Sequence, residues 1–253
     1  MFDSRGLSRQ QLEKWRGIYD ETAALQSWLT AHQWTFGPEV ALATARDVRE
    51  KLMLRPADRF LEIGAGSGAF MEVVLHDAQG GIGFDFSDAQ VRSASKFGVD
   101  RNRIKLGVAE ASRIPVPPES FDKVLCYSVA HYFPDDDYFR KSIQELLRVC
   151  RVGGVVLLGD VAGVMERTRK VIVKAGVPAF LADTLIWTLL PLRNLYRTVK
   201  KRKPREGRFF RRSQLRAFFQ SLNCEFEILD QDIPGRLASK CRFDIRMRKK
   251  NAG

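Results

Sequence analysis

Residues 60–70 combine an apolar run, an acid and three regularly spaced glycines in the sequence FLEIGAGSGAF. The run predicts a short buried strand around Glu62, and glycines 64, 66 and 68 predict a tight turn into a helix. Glycine is required where the backbone takes a positive φ or where a ligand lies close to the chain. The stretch therefore predicts a turn that binds a nucleotide-like ligand. An ordinary glycine turn of an α/β unit is the alternative.

A second acid, Asp85, stands 21 positions after Gly64. Residues 80–86, with the sequence GGIGFDF, predict a second buried strand that ends on this aspartate. At this distance from a glycine turn, a carboxylate can accept hydrogen bonds from both hydroxyls of a ribose that lies over the turn. We therefore predict that Asp85 binds a ribose.

His131 lies in the segment 128–133, directly after a predicted fourth strand at 121–127. The ordinary pKa of histidine is close to physiological pH, which suits a general base. Packing, or contact with a cofactor, is the alternative for this side chain. Tyr127 and Tyr132 bracket the same loop, so that one of them could line an acceptor pocket while the other packs.

Strands and helices that would position these residues alternate along the chain. Apolar runs predict further strands at 104–108 and 155–161, and helices at 88–97 and 136–150. Five such alternations indicate an α/β fold with a doubly wound parallel sheet, in which ligands bind at the carboxyl ends of the strands. Ser213 is then predicted to cap a helix that reaches residue 222, and strands follow at 225–229 and 241–247.

Four regions follow from this pattern. Residues 1–52 form a predicted helical lid, 53–161 a cofactor-binding Rossmann-like core, 162–212 a helical basic insertion or cap, and 213–253 a final helix and strand pair. Trp187 of the insertion is a candidate for contact with the substrate, as are Tyr127 and Tyr132.

The net charge of +12 is concentrated late in the chain. Ten basic residues fall within 193–212 against Glu206 alone, and six within 240–250 against Asp244 alone, so that these stretches carry +9 and +5 and the remainder about −2. The basic insertion could cover a pocket and bind an anionic acceptor, or lie on an anionic membrane surface. A solvated loop is the third interpretation, and it is favoured for residues 198–207.

The four cysteines are widely spaced and form no CxxC pair, so the sequence indicates neither a disulfide framework nor a metal site. No apolar segment is typical of a signal peptide or a membrane span. A cytoplasmic location is the expectation, with peripheral membrane contact as an addition to it.

Four segments in order resemble the class I S-adenosylmethionine-dependent methyltransferases, in particular the small-molecule branch known as the type 11 methyltransferase domain. They are LEIGAGSG at 61–68, GFD at 83–85, VAEASRIPVPPESFDKVLCYSVAHYF at 108–133 and ELLRVCRVGGVVLLGD at 145–160. The resemblance implies a seven-stranded, mostly parallel sheet whose last two strands form a hairpin. It also implies S-adenosyl-L-methionine as the cofactor.

The family implies a role for each matching position. The acid and the glycine turn would lie under the methionine part of the cofactor, Asp85 would hold the ribose, and the adenine would lie between the ends of the second and third strands. The family more often has Asp at the position of Glu110. The residues implied at the cofactor are Tyr19, Glu62, Gly64, Ala65, Gly66, Gly68, Asp85, Phe86, Glu110, Ala111 and Ser128.

The predicted activity is transfer of a methyl group to a small-molecule or lipid-like acceptor, at a hydroxyl that could belong to an anionic molecule, with His131 as the base. A nucleic-acid acceptor is an alternative, because the basic stretches would suit a phosphate backbone. Against it, the fourth strand ends in YSVAHY, without the Asn or Asp, Pro, Pro, Tyr or Phe motif of the related nucleic-acid enzymes. A cofactor-binding protein that acts as a regulatory partner is the other alternative.

Overall fold

A seven-stranded sheet forms the centre of the computed structural model, which describes residues 38–163, 208–222, 224–236 and 242–250. The helices and strands follow the predicted alternation along the chain. In order they are α1 (Pro38–Leu52), β1 (Phe60–Ile63), α2 (Ala69–Val74), β2 (Gly81–Asp85), α3 (Asp88–Arg92), β3 (Ile104–Val108), β4 (Phe121–Tyr127), α4 (Asp136–Val149), β5 (Cys150–Ala162), α5 (Arg212–Gln220), β6 (Cys224–Asp230) and β7 (Arg242–Lys249).

The strands lie in the order β3-β2-β1-β4-β5-β7-β6. The first five pair in parallel, whereas β7 runs antiparallel to both β5 and β6. The doubly wound, mostly parallel sheet expected from the sequence is therefore confirmed. Because parallel strands share one direction, the carboxyl ends of β1, β2, β4 and β5 meet at the same edge of the sheet.

Apolar clusters cover both faces of the sheet, which explains why the strands have continuous apolar runs. On one face, Leu52 of α1 and Met71 of α2 pack on the strands, and on the other Ile143 of α4 and Phe219 of α5 do so. Each of these side chains is fully buried, and burial of one such side chain contributes about 1.5–3 kcal/mol to folding. The packing holds the loops at the strand ends in place.

Two local predictions differ from the structure. The helix expected over 88–97 is divided into α3 and a 3₁₀ helix at Ser93–Phe97, which ends at Gly98 with φ of 68°. The cap predicted at Ser213 was wrong, because α5 begins at Arg212 and the N-cap position belongs to Arg211, whose side chain makes no capping hydrogen bond. The backbone of Phe210 pairs beside β5, so the chain turns into the helix directly from this extended residue.

Candidate functional site

The glycine turn between β1 and α2 has the geometry for which glycine is needed. Gly64, Gly66 and Gly68 have φ angles of 79°, 56° and 81°, in the left-handed region that favours glycine. A Cβ atom on Gly64 would also overlap the side chain of Val129, which follows β4. The turn is therefore tied to the end of β4, and its neighbour Ala65 is buried.

Asp85, at the carboxyl end of β2, holds the turn through its side chain. Its Oδ2 atom accepts a hydrogen bond of 2.8 Å from the amide of Gly66, and Oδ1 accepts one of 2.9 Å from the amide of Ser87. The carboxylate is buried in this position. A carboxylate has about four acceptor positions, so the same group suits the hydroxyls of a ribose.

The side chain of Glu62 is buried inside the protein, beside the turn. It is 2% exposed, and within the described residues its Oε2 atom has no hydrogen-bond partner. Burial, with a smaller effect from the charge of Asp85, raises the pKa of Glu62 to about 8. The buried hydroxyl of Ser67 likewise lacks a partner in the described part of the chain.

The two buried oxygens without a partner among the described residues, Glu62 Oε2 and Ser67 Oγ, allow us to ask whether a cofactor would fit the site. A buried polar atom without a partner costs on the order of 1–3 kcal/mol, and a ligand that supplies hydrogen bonds removes that penalty. The methionine part of S-adenosylmethionine carries an ammonium group, which suits the acid Glu62, and a carboxylate, which suits a hydroxyl such as that of Ser67. The residues at the turn therefore fit the cofactor that the family uses.

The loop after β3 lies beside the end of β2. The amide of Ala109 donates a 2.9 Å hydrogen bond to the carbonyl oxygen of Asp85, and Glu110 forms a short antiparallel bridge with Arg113. The structure thus brings Glu110 and the buried Ala111 to the same edge of the sheet as Asp85. Phe86, which follows Asp85 directly, is half-buried there.

Ser128 directly follows β4, and Asp160 lies near the carboxyl end of the neighbouring strand β5. Their φ angles are 61° and 58°, which is unusual for residues with a side chain and costs on the order of 1–2 kcal/mol each. The Ser128 hydroxyl donates a 2.8 Å hydrogen bond to Oδ2 of Asp160. Because Val129 packs against Gly64, this strained pair adjoins the glycine turn.

Two arginines from late in the chain contact Asp160, and no sequence motif predicted either of them. Arg236 Nη2 lies 2.9 Å from Asp160 Oδ1, and Arg242 Nη1 donates a 2.9 Å hydrogen bond to the Asp160 carbonyl oxygen. Arg236 stands in the connection between β6 and β7, and Arg242 is the first residue of β7. The position of Asp160 at a strand end was a usable signal, whereas neither arginine lies in a recognisable motif.

Tyr127 and Tyr132 differ in their surroundings. Tyr127 is buried with its ring 5.5 Å from that of Phe70, and its hydroxyl accepts a 2.5 Å hydrogen bond from Arg236. Burial is the main cause that raises the pKa of Tyr127, and the charge of Asp160 adds to it. Tyr127 is thus packed inside the protein, while Tyr132 is half-buried, and contact of either ring with an acceptor stays a prediction. Tyr19 and Trp187 lie outside the described residues.

His131 lies in a 3₁₀ turn at Ala130–Tyr132 and is buried. Its Nδ1 atom lies 3.5 Å from Arg242 Nη1, and its ring centroid is 4.0 Å from that of Tyr132. Burial, followed by the positive charge of Arg242, lowers the pKa of His131 to about 3. Such an imidazole is neutral at physiological pH and accepts a proton weakly, which opposes the predicted role as base; that role stays a prediction.

The protonation of His131 can be measured without an acceptor. We expect one of the three histidine Cε1–H signals in a proton–carbon NMR spectrum to keep its position between pH 5 and 9, because the pKa lies below that range. The variant His131→Gln should remove this signal, and His76→Gln, which removes an exposed imidazole, serves as its control. A His131 signal that titrates near pH 6.5 would restore the base assignment.

The fold and the arrangement of the site are typical of α/β proteins that bind a nucleoside-containing cofactor at the carboxyl ends of parallel strands. Residues 61–158 match the family model described as "Methyltransferase domain". Over these residues the chain is similar to the class I S-adenosylmethionine-dependent methyltransferases. No helix within the described ranges is long and apolar enough to cross a membrane.

Three known proteins illustrate the similarity. The uncharacterized methyltransferase YcgJ of Bacillus subtilis is 36% identical over 118 residues, and 27-O-demethylrifamycin SV methyltransferase of Amycolatopsis mediterranei is 36% identical over 115. Each match covers 43% of this chain, and 45% and 40% of the respective relative, so less than half of each relative's length is spanned. The structure of phosphoethanolamine N-methyltransferase 1 from Haemonchus contortus is similar in fold, with a TM-score of 0.64 at 13% identity over 96% of this chain and 50% of that one.

Proposed function

We propose that the protein transfers the methyl group of S-adenosylmethionine to a small-molecule acceptor. The observation that carries the proposal is the placement of Glu62 and Asp85 on either side of a turn in which all three glycines have left-handed φ angles. The match of residues 61–158 to the methyltransferase domain supports it. S-adenosylmethionine supplies a methyl group that is already activated by a positively charged sulfur.

The protein's own contribution is then to bind and align the reactants. Asp85 holds the ribose, Glu62 and Ser67 serve the amino-acid part, and Phe86, Glu110 and Ala111 surround the adenine. Ser128 and Asp160 adjoin the turn through Val129 and Gly64 and therefore face the reacting end. Holding two reactants in line can lower a barrier by about 7–11 kcal/mol, so alignment alone supplies much of the catalysis.

A hydroxyl is the acceptor group we propose. The name of the Amycolatopsis relative describes a substrate with a demethylated oxygen, which supports oxygen as the methylated atom here. Deprotonation of a hydroxyl profits from a nearby base by about 10²- to 10⁴-fold. Asp160 is held by Ser128, Arg236 and Arg242, so we propose a positioning role for this carboxylate and not the role of base.

Isothermal titration calorimetry with S-adenosylhomocysteine and S-adenosylmethionine tests the proposal directly. We expect micromolar binding of both, and no comparable binding of ATP or NAD⁺, which share the adenosine but lack the methionine part. Absence of S-adenosylhomocysteine binding in a folded sample would contradict the proposed function. Binding of all four compounds alike would favour an unspecific nucleotide site.

A further inference from the structure

Arg242 presents one edge of its guanidinium to the protein and leaves the other edge open. Its Nη1 atom makes the described contacts, which are a 2.9 Å hydrogen bond to the carbonyl oxygen of Asp160, a 3.7 Å ion pair with Asp160 Oδ2 and a 3.5 Å approach to His131 Nδ1. Nε and Nη2 have no partner among the described residues. The side chain as a whole is 25% exposed, so the guanidinium group is not sealed inside the protein.

Within the described part of the chain, positive charge exceeds negative charge around Arg242. Asp160 is contacted by both Arg236 and Arg242, so one carboxylate is shared by two guanidinium groups. The nearby carboxylate of Asp244 pairs with Lys51 at 2.6 Å instead. Positive charge held in a largely buried place is unfavourable, and an anion that binds there offsets it. The same positive charge affects His131: after burial, the charge of Arg242 is the second cause of the lowered pKa of this histidine.

Arg242 is linked to the glycine turn through Asp160 and Ser128. Asp160 Oδ2 lies 2.8 Å from the Ser128 hydroxyl and 3.7 Å from Arg242 Nη1, and the residue after Ser128 packs against Gly64 of the glycine turn. A molecule held by Arg242 would therefore lie next to the methionine end of the cofactor. The planar guanidinium edge matches two oxygens of a carboxylate or phosphate.

We propose that Arg242 binds an acid group, a carboxylate or phosphate, of the methyl acceptor. Asp160 is the positioning residue in this arrangement, because it holds Nη1 and thereby directs Nε and Nη2 to the open side. The inference rests on the proposed function, since it names a chemical class for the acceptor of that reaction. The acid group could belong to a soluble molecule or to a lipid headgroup, which share this chemistry.

Inorganic phosphate is the probe for a test that requires no acceptor. Phosphate is titrated into the protein saturated with S-adenosylhomocysteine, and again without it, against sodium chloride of equal ionic strength. Proton–nitrogen NMR of the arginine side chains follows the binding. We expect one Nε–H signal to shift saturably with phosphate, and we expect this signal to be absent in Arg242→Lys.

The variant Arg242→Gln should weaken phosphate binding at least tenfold. Arg246→Gln is the matched control, because Arg246 lies on the same strand with a similarly exposed side chain, 28%, but pairs with Glu227 at 2.7 Å. Phosphate affinity should be unchanged in this control. If Arg242→Gln fails to fold, the wild-type spectrum still decides, because absence of any saturable Nε–H shift overturns the proposal. An equal loss of affinity in both variants also overturns it.

Vesicles distinguish the two sources of the acid group. Flotation with phosphatidylglycerol vesicles that depends on Arg242 and is not seen with phosphatidylcholine assigns the acid group to a lipid. Phosphate binding that depends on Arg242 without such flotation assigns it to a soluble acceptor. Failure of S-adenosylhomocysteine to bind would contradict the proposed function, whereas normal binding with no Arg242-dependent anion binding in either arm contradicts only the inference.

Discussion

Replacement of Asp85 by asparagine is expected to weaken S-adenosylhomocysteine binding by about 10- to 100-fold. Asp85 accepts hydrogen bonds from the amides of Gly66 and Ser87, and in the proposed site it also accepts those of the ribose. An asparagine of equal size replaces one accepting oxygen by a donating NH₂ group, which leaves a buried donor opposite another donor. Hydrogen bonds to a charged group contribute about 1.5–3 kcal/mol, which corresponds to the stated change in affinity.

Asp88→Asn is the matched control for this variant. Asp88 stands three residues later in the first turn of α3, its side chain is 53% exposed, and it pairs with Arg92 at the surface. Cofactor affinity should be unchanged in this control. Calorimetry measures both affinities, and thermal unfolding without ligand verifies that the variants are folded. An Asp85→Asn protein that binds S-adenosylhomocysteine as tightly as the wild type would show that the ribose assignment is wrong.

Replacement of Glu62 by glutamine is expected to stabilise the fold while it weakens cofactor binding. Glu62 lies on β1 between Gly83 of β2 and Leu125 of β4, where water cannot solvate its charge. Its pKa of about 8 lies above the ordinary value of 4.5. The folded protein therefore keeps this proton where the unfolded chain releases it.

The sign of the pH dependence follows from this difference. Below pH 4.5 both states hold the proton and Glu62 has no pH-dependent effect, whereas from there to about pH 8 the stability of the wild type falls. Glutamine cannot ionise, so its gain over the wild type should grow across this range. At pH 7 the gain in the free energy of unfolding is on the order of 3 kcal/mol, or roughly 6–12 °C in Tm.

Urea unfolding at pH 4, 7 and 9 measures this effect. Glu50→Gln is the control, because Glu50 is exposed on α1, and its free energy of unfolding should change by less than about 0.5 kcal/mol at each pH. The Glu62→Gln protein should also bind S-adenosylhomocysteine about tenfold more weakly, since a neutral amide can accept a hydrogen bond from the ammonium group but forms no ion pair with it. For the same reason wild-type affinity should rise from pH 6 to pH 9. A variant that is less stable than the wild type at pH 7 would contradict this account.

The two effects of Glu62 have one physical origin. A buried acid without a partner destabilises the free protein, and a cationic group of the ligand relieves that penalty only when it binds. The backbones of Ser128 and Asp160, with φ angles of 61° and 58°, are likewise unfavourable features of the free protein. Strained residues of this kind persist where the surrounding structure holds them in place, and they cluster at functional sites. Both features lie at the edge of the sheet that the proposed reaction uses.

The sequence by itself determined the class of fold, and it predicted the residues on the cofactor side of the candidate site. Glu62, the three glycines and Asp85 lie within 24 residues, from position 62 to 85, so their chemistry is legible from local spacing. The glycines indicate a tight turn, because its positive φ angles are sterically forbidden to most other residues. The alternation of apolar runs with helices then indicates a parallel sheet. The family resemblance rested on these same segments.

Only the tertiary structure decided the composition of the opposite side of the site. Arg242 meets Asp160 across 82 residues because the antiparallel register of β5 and β7 sets Arg242 opposite Ala162, and no local pattern reports a register between distant strands. His131 looked like a base from its position in the chain, but its burial beside Arg242 lowers its pKa to about 3. Burial and long-range charge arise from packing, so they can be assigned to a residue only when its neighbours in space are known.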